Sequence, residues 1–185
     1  MPLYTASQQV AFPAATSERY YLPSKGGLAT ALSTPTRYTI AYLPFFIKKN
    51  TSSLKICIEQ GSAGTINTCD VGIYSATNGL PSAAKIESGT ITTTSSVGIF
   101  SYTVSLPIQQ GWYICAGMVQ TLSATTFRVF TTNNLISDDF GRDTSDTAID
   151  TNYFYTQTGL TSLPSNIGTI TRSATNTGLN VFLRY

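Results

Sequence analysis

The sequence predicts an all-β fold, an antiparallel β-sandwich of jelly-roll-like type with an extended N-terminal arm, on three observations. Charged residues are only 11% of the chain, against roughly 25% in an average soluble protein. Thr, Val, Ile, Tyr and Phe are abundant, which favours pleated surfaces over helices, and no long amphipathic helix can be drawn. The stretch Val71-Gly72-Ile73-Tyr74-Ser75 alternates, turns at Asn78-Gly79 and Leu80-Pro81, and resumes at Glu87-Ser88-Gly89-Thr90-Ile91, as strand, turn and strand.

Residues 1–18 mix Ser, Thr, Gln, Ala and two prolines without a period and read as the arm. Leu3, Tyr4, Val10 and Phe12 are more apolar than free exposure would justify, so they are expected to dock on this subunit or a neighbour; a frayed terminus is the alternative. Residues 19–185 read as one sandwich domain. Its first strand runs from Arg37 to Ile47, bent or broken at Pro44. Ser53 to Glu59 follows with Leu54, Ile56 and Ile58 on one face, then Thr68 to Ser75 with Cys69, Val71 and Ile73 together, joined by a turn at Gly61-Ser62-Ala63-Gly64. Ala84 to Ile91 and Ile99 to Leu106 read as the next pair, around the hydroxyl tract Thr92 to Ser96. Gly111 to Gln120 is nearly continuously apolar and reads as a central strand. Thr126 to Thr131 and Gly178 to Tyr185 complete the set, the last pinning the C-terminus into a sheet. Between Asn133 and Asn176 the pattern weakens, and Asp138, Asp139, Asp143, Asp146 and Asp150 gather near Gly141-Arg142, with Tyr153, Phe154 and Tyr155 as apolar anchors. An excursion of this length in a compact domain reads as functional or partner-facing.

At 185 residues the chain fits one domain able to bury about 70% of the surface its unfolded form exposes. The formal net charge is +2 and the eleven basic residues are dispersed apart from Lys48-Lys49, which speaks against a nucleic-acid surface. The N-terminus has neither the positive start nor the apolar run of a secretory leader. Ile40 to Ile47, the most apolar window, is interrupted by Pro44 and far shorter than the roughly 20 residues that span a bilayer. The three cysteines read as buried thiols; if Leu54–Glu59 and Thr68–Ile73 form a hairpin, Cys57 and Cys69 lie across from one another and a bridge becomes an alternative.

The chain contains no His, which removes the commonest general base and the commonest zinc ligand. A two-carboxylate glycosidase stays formally open through Glu59, Glu87 and the aspartates. The aspartate cluster reads as a solvated loop in which Arg142 neutralises its neighbours, as a charged interface, or as oxygen ligands for a hard cation. Trp112 is the only tryptophan and, in the most apolar strand, reads as core rather than as a sugar-stacking ring. Tyr20-Tyr21, Tyr38 and Tyr42 read as a glycan platform, a protein interface, or simple β-propensity.

Arg19-Tyr20-Tyr21-Leu22-Pro23, Tyr42-Leu43-Pro44-Phe45-Phe46-Ile47, Gly72-Ile73-Tyr74 to Gly79-Leu80-Pro81, Ser88-Gly89-Thr90-Ile91 and Leu106 to Ala116 follow one another in a series that resembles a family of tailed-phage virion structural proteins. The likeness covers approximately residues 19–130. It implies a short arm leading into a jelly-roll-like head of the kind found in capsid decoration proteins, appendages and tail fibres. In that frame Asn78 and Gly79 make a turn, Pro81 stiffens its exit, Gly111 opens a strand, and Trp112, Tyr113 and Ile114 build the core. No catalytic residue, cofactor or metal is implied. The expected role is a non-enzymatic capsid decoration or cement subunit, located in the virion, homotrimeric and bound to the major capsid protein; the alternative is a receptor-binding or glycan-binding appendage module. The expected partner surface comprises Leu3, Tyr4, Val10, Phe12, Tyr20, Tyr21, Asp139, Arg142, Tyr153 and Phe154.

Overall fold

The computed structural model describes residues 20–21, 30–76, 84–121, 125–130, 154–168, 170–173 and 178–185. Twelve strands appear among them: β1 (Tyr20–Tyr21), β2 (Thr30–Ser33), β3 (Thr39–Ile47), β4 (Lys55–Gln60), β5 (Thr68–Ser75), β6 (Lys85–Thr92), β7 (Gly98–Thr103), β8 (Gly111–Val119), β9 (Phe127–Phe130), β10 (Phe154–Thr158), β11 (Thr171–Ser173) and β12 (Phe182–Arg184). No described helix is long and apolar enough to cross a membrane. The strands form two antiparallel sheets. Sheet I contains β2-β9-β4-β7, with β12 against β4 and β1 outside β12; sheet II runs β11-β10-β3-β8-β5-β6. Taken in chain order, β2 to β9 form two four-stranded layers, 2-9-4-7 and 3-8-5-6, with every connection except β5 to β6 crossing between the sheets, which is jelly-roll topology. The expected antiparallel, jelly-roll-like sandwich therefore holds, and the arm expected over residues 1–18 lies outside the described residues.

Period-two alternation explains the core. Ala41, Leu43, Phe45 and Ile47 of β3, Cys69, Val71 and Ile73 of β5, and Cys115 and Val119 of β8 line the inner face of sheet II. They meet Ile56 and Ile58 of β4, Phe127 and Val129 of β9, and Leu179, Val181 and Leu183 near the C-terminus, in one cluster. Each of the Val, Leu, Ile and Phe side chains among them contributes about 1.5–3 kcal/mol on full burial. The C-terminal strand is pinned as expected, with Leu183 opposite Ile56 of β4 and Tyr21 of β1.

Several pairings differ from the sequence expectation. β4 and β5 are not a hairpin: β4 pairs with β7, β9 and β12, and β5 with β6 and β8, so residues 61–67 cross between sheets. Cys57 and Cys69 accordingly lie in different sheets, and Cys57, Cys69 and Cys115 are free, buried thiols. The strands at 85–92 and 98–103 also belong to opposite sheets. The pairing of β5 with β6 does hold, from Thr68 opposite Thr92 to Tyr74 opposite Lys85; its turn at Asn78, Gly79 and Pro81 lies outside the described residues. Pro44 neither breaks nor ends β3. It sits opposite Ile114 of β8, while the other neighbour, β10, is paired only as far as Tyr42 among the described residues, so no second ladder among them asks for its missing N–H.

The weakly patterned excursion contributes structure of its own. β10 adds to the edge of β3 and β11 to β10. Gly159 turns the chain out of β10 with φ +78°, a conformation that favours glycine. The segment 160–170 then lies over the outer face of sheet II, where Leu163 and Ile167 bury Ile40, Tyr42, Tyr74, Ile114, Ala116 and Met118. Gly72 lets it approach, since a Cβ there would stand 2.9 Å from Leu163 Cδ1. Backbone and side chain of Lys85 donate to Ser165 O (2.8 Å) and Leu163 O (3.0 Å), and the Tyr74 hydroxyl donates to Pro164 O (2.9 Å). Because this cover buries the second face of the central strands, β3 and β8 read as nearly unbroken apolar runs.

Candidate functional site

Among the described residues the cover stops short of one end of sheet II. Tyr42 is the last of them on β3 opposite β10; beyond it the outward pairs of the two central strands are Pro44 with Ile114, both buried, and then Phe46 with Trp112, directly opposite each other. Their rings pack edge to face with centroids 5.3 Å apart and planes at 61°. Phe46 is 39% and Trp112 42% exposed. The expectation that Trp112 is core is thus corrected. It shares outward parity with Ile114, Ala116 and Met118, but they lie beneath the cover and it does not. Of its companions, Ile114 is buried in the outer layer and Tyr113 packs against the inner core.

The loops beneath this pair are braced. Thr51 and Ile108 exchange backbone hydrogen bonds of 2.8 Å, and Gln110 N donates to Asn50 Oδ1 at 2.8 Å. The same end carries exposed Leu106, at 48%, and the exposed Lys48 and Lys49 that follow β3. Two aromatic rings on braced strands, with two lysines beside them, thus form a partly exposed aromatic ridge at this end of sheet II.

The carboxylates that left a glycosidase open have structural partners. Glu59 holds Arg128 in a bidentate ion pair, 2.6 Å to Nη2 and 2.8 Å to Nε, which raises the guanidinium pKa. Glu87 accepts from Tyr102 OH (2.7 Å), Ser105 N (2.8 Å), Ser105 Oγ (2.9 Å) and Leu106 N (3.0 Å). The first carboxylate belongs to sheet I and the second to sheet II. Desolvation pushes the Glu87 pKa up, but the hydrogen bonds from Ser105, Tyr102 and Leu106 outweigh it and leave the group below its ordinary value. Stability carried by a carboxylate with a depressed folded pKa is present above the unfolded value, about 4.3, and is lost as pH falls through the folded one. The variant Glu87→Gln should therefore be less stable at pH 7 by about 1–3 kcal/mol and flatter in stability between pH 5 and 3. Parallel pH–stability curves for the two proteins would refute that role.

Asp70, 8% exposed, accepts from Thr90 Oγ1 at 2.7 Å and from Gln120 Nε2, while Gln120 Nε2 also reaches Thr161 O at 3.0 Å. This network ties the cover to β5 and β6. At the opposite end of the strands Arg37 lies 4.4 Å from the centroid of the Tyr38 ring and donates to Gln120 O at 2.5 Å, with Tyr38 itself at φ +57°. Tyr42, a candidate surface tyrosine by sequence, is fully buried. Burial raises the Tyr42 and Tyr74 hydroxyl pKa values and pushes the Cys69 thiol up to about 12, with Asp70 adding to the latter. Among the described residues no three Cys, Asp or Glu side chains come together as metal ligands.

Of the expected partner surface, Tyr20 and Tyr21 form β1 against β12, and Phe154 opens β10 opposite Ser173. Leu3, Tyr4, Val10, Phe12, Asp139, Arg142 and Tyr153 lie outside the described residues, as does the aspartate cluster. Phe46, Leu106 and Lys49 were not in that expected set. Comparison with protein-family models, curated proteins and solved structures finds no match for the chain.

Proposed function

We propose that this chain is a non-enzymatic structural protein of a tailed-phage particle, a capsid decoration subunit that docks on the outer face of the major capsid protein through its Phe46–Trp112 end. The ordered series of motifs from Arg19 to Ala116 supports the phage assignment. Jelly rolls serve widely as capsid and lectin domains, so the fold is compatible with it. The observation that carries the docking role is the exposed ring pair at the end of two central strands whose other outward side chains are buried. Rings inclined at 61° present a ridge, and a ridge fills a pocket in a protein surface better than it floors a flat sugar platform. Lys48 and Lys49 beside it would steer the subunit toward an acidic surface.

The test is binding to capsids prepared without this protein. Trp112→Ala should lower affinity at least tenfold, about 1.4 kcal/mol, while changing fold stability by less than about 1 kcal/mol because the ring is half in solvent. Native-like capsid binding by the variant would overturn the docking assignment. One observation favours a second reading: with 42% of Trp112 exposed, part of the indole is open to stack on a sugar. Retention on host polysaccharide, lost in Trp112→Ala, with no binding to capsids, would establish that glycan-binding reading instead.

A further inference from the structure

We infer that β7 is a self-association edge, at which the strands Gly98–Thr103 of two copies pair antiparallel and join sheet I of both subunits across a twofold axis. The inference stands apart from the docking role assigned to Phe46 and Trp112, which lie on sheet II.

Among the described residues β7 is paired on one side alone. All six of its residues are opposite β4, from Gly98 with Gln60 to Thr103 with Lys55. Val104 N donates to Leu54 O at 2.8 Å, and because hydrogen-bonded pairs alternate along an antiparallel ladder, the even residues of β7 bond to β4. Ile99, Ser101 and Thr103 therefore turn their N–H and C=O groups away from the sheet. Along that side only Ser105, past the end of the strand, finds an acceptor, in Glu87.

Unpaired edges are ordinarily blunted by shortness, charge, proline or a bulge. The other edges show these devices. Among the described residues β1, β2 and β11 have two, four and three residues. β6 carries Lys85 and Glu87, and its register against β5 shifts at Ile73/Tyr74. β7 has none of them: it is six residues long, regular, and lies in a stretch without a single Asp, Glu, Lys or Arg between Glu87 and Arg128. Ile99 is 47% exposed and the adjoining Val97 60%. A row of unsatisfied main-chain groups calls for another strand. A second copy suits it because an uncharged strand meets itself without any like-charge contact, and a self-complementary patch closes as a twofold dimer.

The experiment is sedimentation of the full chain across the micromolar range, with amide exchange followed at β7. Wild type should sediment as a dimer, with slow exchange at Ile99, Ser101 and Thr103. Ser101→Pro removes one outward N–H and leaves the β4 ladder intact; it should sediment as a monomer, with a circular dichroism spectrum like that of the wild type. Ile99→Lys, at an exposed position, should do the same by putting on each copy the kind of edge charge that opposes strand pairing. A monomeric or trimeric wild type, or dimers that persist in both variants, would overturn the inference.

Discussion

Replacing Tyr42 by Ala should destabilise the fold by about 3–5 kcal/mol, the range for deleting a large buried aromatic side chain. Tyr42 is fully buried although it points away from the inter-sheet core. Its ring meets that of Tyr74 edge to face at 6.0 Å, and its hydroxyl donates to Gln157 Oε1 of β10 at 2.9 Å. It thus joins β3, β5 and β10 beneath the 160–170 cover. The loss should be local in its first effect: amides of 160–170 should exchange well before those of β4 or β8, which the inner core continues to hold. The milder Tyr42→Phe keeps the packing but leaves Gln157 Oε1 without this donor, at a cost of about 1 kcal/mol. Denaturant titration gives both figures. A Tyr42→Ala loss below 1 kcal/mol, or unchanged protection over 160–170, would mean that the outer layer is held by something else.

The positions of β3 to β9 and β12 were legible in the chain, because the strongest of them carry an inward apolar face at every second residue, whereas β1, β2, β10 and β11 have no such signal. Which strands pair was not. Period two assigns a side chain to a face but carries no information about sheet membership, so Gly61 to Gly64 reads equally well as a hairpin turn or as a crossing between sheets. Residues 160–170 escaped notice for a related reason. Leu160, Leu163, Ile167 and Ile170 cover the sheet from irregular chain, at spacings with no period of two. Their presence was nonetheless encoded indirectly, since a central strand as continuously apolar as Gly111–Val119 must be buried on both faces, and some segment has to supply the second. Trp112 was misread by the same logic. Every residue of its outward row is apolar, and nothing in the row itself marks that burial reaches Pro44 and Ile114 but not the next outward pair, Phe46 and Trp112. The carboxylates show the opposite limit: nothing local to Glu87 reveals that Ser105 and Leu106, from the connection after β7, will converge on it.

Gly89→Val should cost about 2–4 kcal/mol, from overpacking and the loss of one charge-assisted hydrogen bond, partly offset by the better strand propensity of valine. β6 and β7 are the neighbouring free edges of the two sheets, and Tyr102 closes the gap between them by lying across Gly89. A Cβ at position 89 would stand 2.1 Å from Tyr102 Cε2, 2.5 Å from Cδ2 and 2.6 Å from Cζ. The ring is not free to swing aside, because its hydroxyl is tied to Glu87 Oε1 at 2.7 Å. Backbone movement is equally constrained, with Gly89 held opposite Val71 in the middle of the β5–β6 ladder. A double-mutant cycle isolates the clash from the propensity gain. Tyr102→Ala alone forfeits ring packing and the bond to Glu87, but in the Gly89→Val background it also relieves the overlap, so the double variant should be more stable than the sum of the single losses by at least about 1 kcal/mol. Strict additivity would mean that the ring does not occupy the space above Gly89, and the closure of this side of the sandwich would then have to come from the Glu87 hydrogen bonds to Ser105 and Leu106 alone.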